Sequence, residues 1–135
     1  MLKLIVGIKG TGKTKTLIEM VNKALGESRG SVVCIEKGSK LIYDIKYQAR
    51  LIDTEKYGVT DAASLFGFVS GIYASNHDVT DLFIDSALKI CNNDIESFKK
   101  FILDVAKFGE EHNVNFVITS SLADGELPEE LKAYL

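Results

Sequence analysis

The sequence predicts a three-layer α/β/α fold in which helices cover both faces of a mainly parallel, five-stranded sheet. Three observations predict it. Short apolar runs recur as "LKLIVG" (2–7), "SVVCIE" (31–36), "ARLIDT" (49–54), "DLFIDS" (81–86) and "NFVITS" (115–120). Helical patterns lie between most of them, which is the alternation of an open parallel sheet. A glycine-rich turn, "GIKGTG", joins the first strand directly to the first helix.

Each element has its own warrant. Leu2, Leu4, Ile5 and Val6 form a continuous apolar run, the mark of a strand buried on both faces. After the turn, Leu17, Ile18, Val21, Ala24 and Leu25 recur at helical spacing, Glu19 and Lys23 are an i,i+4 pair, and Gly26 is the expected stop. The piece "GSKLIYDIKYQ" (38–48) alternates Leu41, Tyr43, Ile45 and Tyr47 with polar residues, so it reads as an edge strand or hairpin arm. Its tyrosines and lysines have the chemistry to stack a base, against the simpler reading of a solvated edge. Residues 61–75 look helical and apolar on nearly every side, which calls for burial against the sheet or against a second copy or partner. Gly67 and Gly71 there are spaced for close backbone approach. Residues 94–112 give a cleaner helix, with Asn93 and Glu96 as a capping box and Ile95, Phe98, Ile102 and Val105 as its apolar stripe. A last helix starts at Pro128, followed by Glu129 and Glu130. No repeat or linker interrupts residues 1–135, which read as one domain.

Composition narrows the function classes. A net charge of −3 argues against a large phosphate-backbone footprint, and no clear nucleic-acid site emerges. Cys34 and Cys91 lie on apolar segments without zinc-ligand spacing, so they read as buried free thiols in a reducing compartment. His77 and His112 have no ligand-spaced neighbours and read as surface residues. No signal segment and no apolar run of membrane-spanning length is present, so the expectation is a cytosolic protein with no membrane partner.

The chemistry-bearing stretch is the first turn. Gly7, Gly12, Lys13 and Thr14 fit G-x-x-x-x-G-K-[ST], the Walker A pattern. Glycines let backbone N–H groups approach an anion without a Cβ in the way, and the following helix adds its positive N-terminal dipole. The expected nucleotide-binding set is Gly7, Lys9, Gly10, Thr11, Gly12, Lys13, Thr14 and Lys15. Lys13 would reach the β- and γ-phosphates, and the Thr14 hydroxyl would sit on Mg²⁺.

Three further positions complete the set. Asp85, at the end of "DLFID", has the Walker B arrangement and would hold Mg²⁺ opposite Thr14. Ser86 occupies the next position, where many ATPases carry a glutamate, so the water-orienting base is sought elsewhere. Glu36, ending "SVVCIE" on the rim where ligands bind in open α/β sheets, is the candidate, with Asp53 and Glu55 as the fallback pair. Thr119 and Ser120 would face the γ-phosphate, or else satisfy nearby backbone.

This order of parts resembles the RecA-like branch of the P-loop NTPases. The matching stretches are "GIKGTGKT", "VVCIEKG", "LFIDSAL" and "VNFVITSS", and the first is equally similar to the AAA+ type. The chain is also loosely similar to small bacterial P-loop proteins likened to twitching-motility ATPases. It lacks that motor's N-terminal domain and its acidic and histidine boxes, so motility is not implied. The resemblance implies a P-loop NTPase fold, with the Thr119 strand between the first strand and the Asp85 strand, and ATP with Mg²⁺ as cofactors. It also implies Lys13 and Glu36 as the catalytic pair. Departures are the absent lid and sensor-2 region and the lack of an arginine finger, since Arg29 and Arg50 both lie away from the motifs. The resulting expectation is a slow Mg²⁺-dependent ATPase. The alternatives are a nucleotide-responsive interaction module that hardly hydrolyses, with the 62–73 helix as its partner or oligomer contact, and a small-molecule kinase.

Overall fold

The computed structural model describes residues 1–135, apart from the side chain of Asp124. Five strands are present: β1 (Leu2–Gly7), β2 (Ser31–Glu36), β3 (Arg50–Asp53), β4 (Val79–Ile84) and β5 (Asn115–Ser121). The helices are α1 (Lys13–Glu27), α2 (Ala62–Ser75), α3 (Ala87–Ile90) and α4 (Ile95–His112). All strands pair in parallel, in the order β1-β5-β4-β2-β3. The Thr119 strand thus lies between β1 and the strand that leads to Asp85.

Strand side chains alternate between two cores, one on each face of the sheet. On one face Leu4, Ile35, Ile84 and Ile118 pack with Leu65 and Val69 of α2 and Phe98, Ile102 and Val105 of α4. On the other, Val32, Cys34, Phe83 and Val117 meet Leu17 and Val21 of α1. Leu41, Ile45 and Ala49 extend this second core from the stretch between β2 and β3. Both faces being covered explains why the strands read as nearly continuous apolar runs. Among the described residues no helix is long and apolar enough to cross a membrane.

Four local expectations are corrected. Residues 38–48 form turns, not an edge strand or hairpin arm. Their backbone is satisfied by side chains instead of a ladder: the Glu36 carboxylate accepts from the Lys40 and Leu41 N–H groups. The Asn22 amide accepts from Lys46 N–H and donates to the Asp44 carbonyl. The buried residues therefore recur every fourth position, at 41, 45 and 49, while Tyr43 and Tyr47 point outward. The second correction is at α4, whose N-cap is Asp94 without a side-chain bond. Asn93 has φ +57°, and a residue in the left-handed region cannot take the extended conformation an N-cap requires. Third, the segment after Pro128 is a 3-10 helix (Glu129–Tyr134) rather than an α-helix.

The fourth correction is α2, which buries one side only. Ala62, Leu65 and Val69 face inward, while Ala63, Gly67, Gly71 and Ala74 are exposed. Small residues count as apolar in a sequence but present little area that must be hidden. The close approach instead occurs at Gly109 of α4, where an added Cβ would meet the Val114 carbonyl oxygen at 2.8 Å and Phe116 at 3.1 Å. Gly109→Ala should therefore destabilise the protein by about 1–3 kcal/mol. Gly71→Ala, which meets nothing within 4 Å, should stabilise it by about 0.4–1 kcal/mol. Urea unfolding of the two variants beside the parent checks the opposite signs.

Candidate functional site

A cleft of about 540 Å³ opens at the C-terminal ends of β1, β4 and β5, where helices and turns diverge from the sheet. One wall is the loop from Gly7 to Thr14. Gly10 and Gly12 adopt φ +87° and +83°, values open to glycine without the clash a Cβ would bring. Gly7 has a different duty, because a Cβ there would lie 2.8 Å from the Thr11 hydroxyl. Thr11 in turn donates to the Ile8 carbonyl at 2.8 Å, folding the loop on itself. The Lys13 ammonium donates to that same carbonyl at 2.8 Å. Lys9, Gly10, Gly12, Lys13, Thr14 and Lys15 line the cleft, whereas Gly7 and Thr11 shape the loop from behind.

Asp85 stands opposite. Its carboxylate accepts from the Thr14 hydroxyl at 3.2 Å and 3.4 Å, so a residue of α1 meets one that follows β4, 71 positions later. Thr119 of β5 donates to Asp85 Oδ1 at 2.7 Å while its oxygen accepts from Ser86 N–H at 2.8 Å. The Asp85 N–H itself donates to Ile35 O of β2 at 2.9 Å. Ser120 accepts from Leu88 N–H and donates to the Thr119 carbonyl, which fixes the turn into α3. Thr119 is 1% exposed and does not line the cleft; its hydroxyl bonds Asp85 and the Ser86 N–H.

Glu36 is placed on the neighbouring strand, as its proposed role requires, but its carboxylate is already engaged. It is 3% exposed, and both oxygens accept backbone N–H groups, from Lys40 at 3.0 Å and Leu41 at 3.1 Å. Burial pushes its pKa upward; the Leu41 and Lys40 bonds oppose this, and the charges of Asp85 and Asp53 add to it. Asp53 caps the 3-10 turn Thr54–Tyr57, accepting from Gly38 N–H at 2.8 Å and Glu55 N–H at 2.9 Å, which hold its carboxyl below the usual range. Neither Asp53 nor Glu55 lines the cleft. Cys34 and Cys91 are buried free thiols, with burial pushing Cys91 up to about 12, so neither supplies a thiolate near neutral pH.

Sequence reading missed Lys40, Lys89, Asn93 and Ser121, which line the cleft together with Leu41, Ser86 and Leu88. Lys40 and Lys89 lie four residues beyond the rim acids Glu36 and Asp85, and no motif marks them. Their only signal is position after a strand end, where an open parallel sheet places its ligand-facing turns. No protein-family model and no curated protein matches this chain.

Two outcomes follow from this geometry. Thr119→Val keeps the shape but leaves the Ser86 N–H without its acceptor, and should cost about 1–3 kcal/mol of stability by urea unfolding. Glu36, with its pKa raised in the folded state, binds its proton more tightly when native than when unfolded. Its contribution to stability should therefore fall as pH climbs above 4.5 and level off past the raised value. In paired urea titrations from about pH 4 to about pH 8, Glu36→Gln should lose that downward slope, apart from a constant offset.

Proposed function

We propose that this chain is a P-loop ATP-binding protein with slow Mg²⁺-dependent ATPase activity. The observation that carries the reading is the meeting of the Thr14 hydroxyl and the Asp85 carboxylate beside the Lys13 loop. A phosphate-binding loop serves hydrolysis only if a metal-holding acid faces its hydroxyl residue, and the chain brings those two together from opposite halves.

The residues suit the proposed ligands. One carboxylate and one hydroxyl are too few to cage a cation alone; they suit Mg²⁺, which keeps several waters and is completed by substrate phosphates. Thr14 and Asp85 would hold the metal, which when bound neutralises charge on the phosphate oxygens. Gly10 and Gly12 present backbone N–H groups to the phosphates, and Lys13 exchanges its bond with Ile8 O for a phosphate oxygen. Thr119 is a positioning residue that keeps Asp85 aimed at the loop. Glu36 orients the attacking water once the 37–41 turn moves aside and releases its carboxylate.

Two features argue for slow turnover. The engaged Glu36 is one. The other is arginine placement: Arg50 lies toward the opposite end of the sheet, beside Ser31 and Val79, and Arg29 lines no part of the cleft. An arginine supplied to the γ-phosphate is worth about three to five orders of magnitude in related chemistry. The same two features favour the second reading, a nucleotide-responsive module that binds ATP and scarcely hydrolyses it.

ATP binding and phosphate release by the purified protein with Mg²⁺ separate these readings. Lys13→Ala should weaken ATP binding about tenfold or more. Glu36→Gln should keep binding and lose phosphate release. Binding without release in the parent selects the module, and rapid release overturns the slow turnover. No binding in the parent rejects the nucleotide reading itself.

A further inference from the structure

We propose that the cleft binds a second ligand beside the nucleotide, a small phosphate-bearing molecule gripped by Lys40 and Lys89 with Asn93. Its being a second ligand rests on the nucleotide reading above; the anion site itself rests on the lysines.

The first observation is a charge imbalance. Lys9, Lys13, Lys15, Lys40 and Lys89 line the cleft against one carboxylate, that of Asp85. Among the described residues none of these five forms an ion pair, whereas Lys23, Lys99, Lys100, Lys107 and Lys132 each pair with a glutamate or aspartate. In a chain of net charge −3, Asp85 is the one acid among the residues that line this cleft. Unneutralised like charges around a concave site repel one another and focus a positive potential into it. A magnesium-bound triphosphate carries roughly two net negative charges near neutral pH, fewer than the cleft can balance.

The second observation is where the surplus sits. Lys9, Lys13 and Lys15 belong to the phosphate loop and the start of α1. Lys40 follows β2 and Lys89 lies in α3, after β4, so neither belongs to the phosphate loop or to α1. Their backbones are fixed: Lys40 N–H donates to Glu36 at 3.0 Å, and Lys89 N–H donates to the Ser86 carbonyl at 3.1 Å. Their ammonium groups remain free to meet a ligand, an arrangement in which little ordering is left to do on binding.

Asn93 supplies the third observation. It lines the same cleft as Lys89, and among the described residues its side-chain amide has no hydrogen-bond partner. It follows Asn92 in a turn where both residues take the left-handed conformation, φ +59° and +57°. The Asn92 amide holds that turn by donating to the Thr60 carbonyl at 2.7 Å. Two ammonium groups and an amide N–H₂ are donors only toward an anion, and lysine serves phosphate as a point charge.

Inorganic phosphate is the probe. The full-length protein, saturated with a non-hydrolysable ATP analogue and Mg²⁺, is titrated with phosphate and followed by calorimetry. The parent should take up one further equivalent. Lys40→Gln and Lys89→Gln, both at exposed positions, should each raise the phosphate midpoint about tenfold, a larger factor than any change in analogue affinity. Lys23→Gln, on the far surface of α1, controls for general loss of charge and should change neither. No further equivalent in the parent overturns the proposal. So does a loss of analogue affinity in the two variants as steep as their loss of phosphate. If the parent binds no analogue but its phosphate binding still depends on Lys40 and Lys89, the anion site stands and the nucleotide reading falls. Phosphate binding that depends on Lys13 alone does the opposite: the Lys40–Lys89 site falls and the phosphate loop stands.

Discussion

The site depends on one carboxylate held from three sides. Asp85 receives the Thr119 hydroxyl from β5, receives the Thr14 hydroxyl from α1, and donates its own N–H to Ile35 in β2. A charged acceptor with two hydroxyl donors is among the stronger arrangements a protein can make, and it ties elements that lie far apart in the chain. The strand order makes the tie possible. Because β5 separates β1 from β4, the lysine loop and Asp85 face each other across a single intervening strand, with Thr119 between them.

The turn that follows that carboxylate is held without acids. Ser86, the next residue, is in the left-handed region at φ +57°, which turns the chain sharply away from β4 and leads into α3. That turn is paired to Thr119 and Ser120 by backbone N–H groups, not by acids. The ion pairs lie on remote helix surfaces, most of them between exposed side chains that contribute little to stability. Stability instead comes from the two apolar cores, so the rim is left free to carry unbalanced charge.

Much of this was legible in the residues. Apolar runs identified all five strands, because strands covered on both faces need no alternation that a polar residue could obscure. Glycine spacing found the loop, and Asp85 followed from its strand end. What stayed hidden was decided by how side chains satisfy the backbone of the turns and by what the fold brings together. The 38–48 stretch alternates like a strand, yet Asn22 and Glu36 bind its N–H groups and wind it into turns. Asn93 looks like a cap until the turn out of α3 commits it to positive φ. Lys40 and Lys89 carry no local signature at all; only the fold brings them to one cleft.

Three acids end or follow neighbouring strands, and each already has its partners. Glu36 holds the turn after β2, Asp53 holds Gly38 and Glu55, and Asp85 holds two hydroxyls. On the proposed reading, Asp85 would exchange its long bonds to Thr14 for a cation without moving its backbone, because the shorter Thr119 bond stays in place. Glu36 has no such freedom: both of its oxygens carry the turn that also delivers Lys40 to the cleft and Leu41 to the second core. Using that carboxylate on a water molecule therefore means disturbing the turn, and disturbing the turn moves Lys40. On the proposed readings, water orientation and Lys40 are thereby coupled through one side chain, so an anion that engages Lys40 would act on the same element that restrains Glu36.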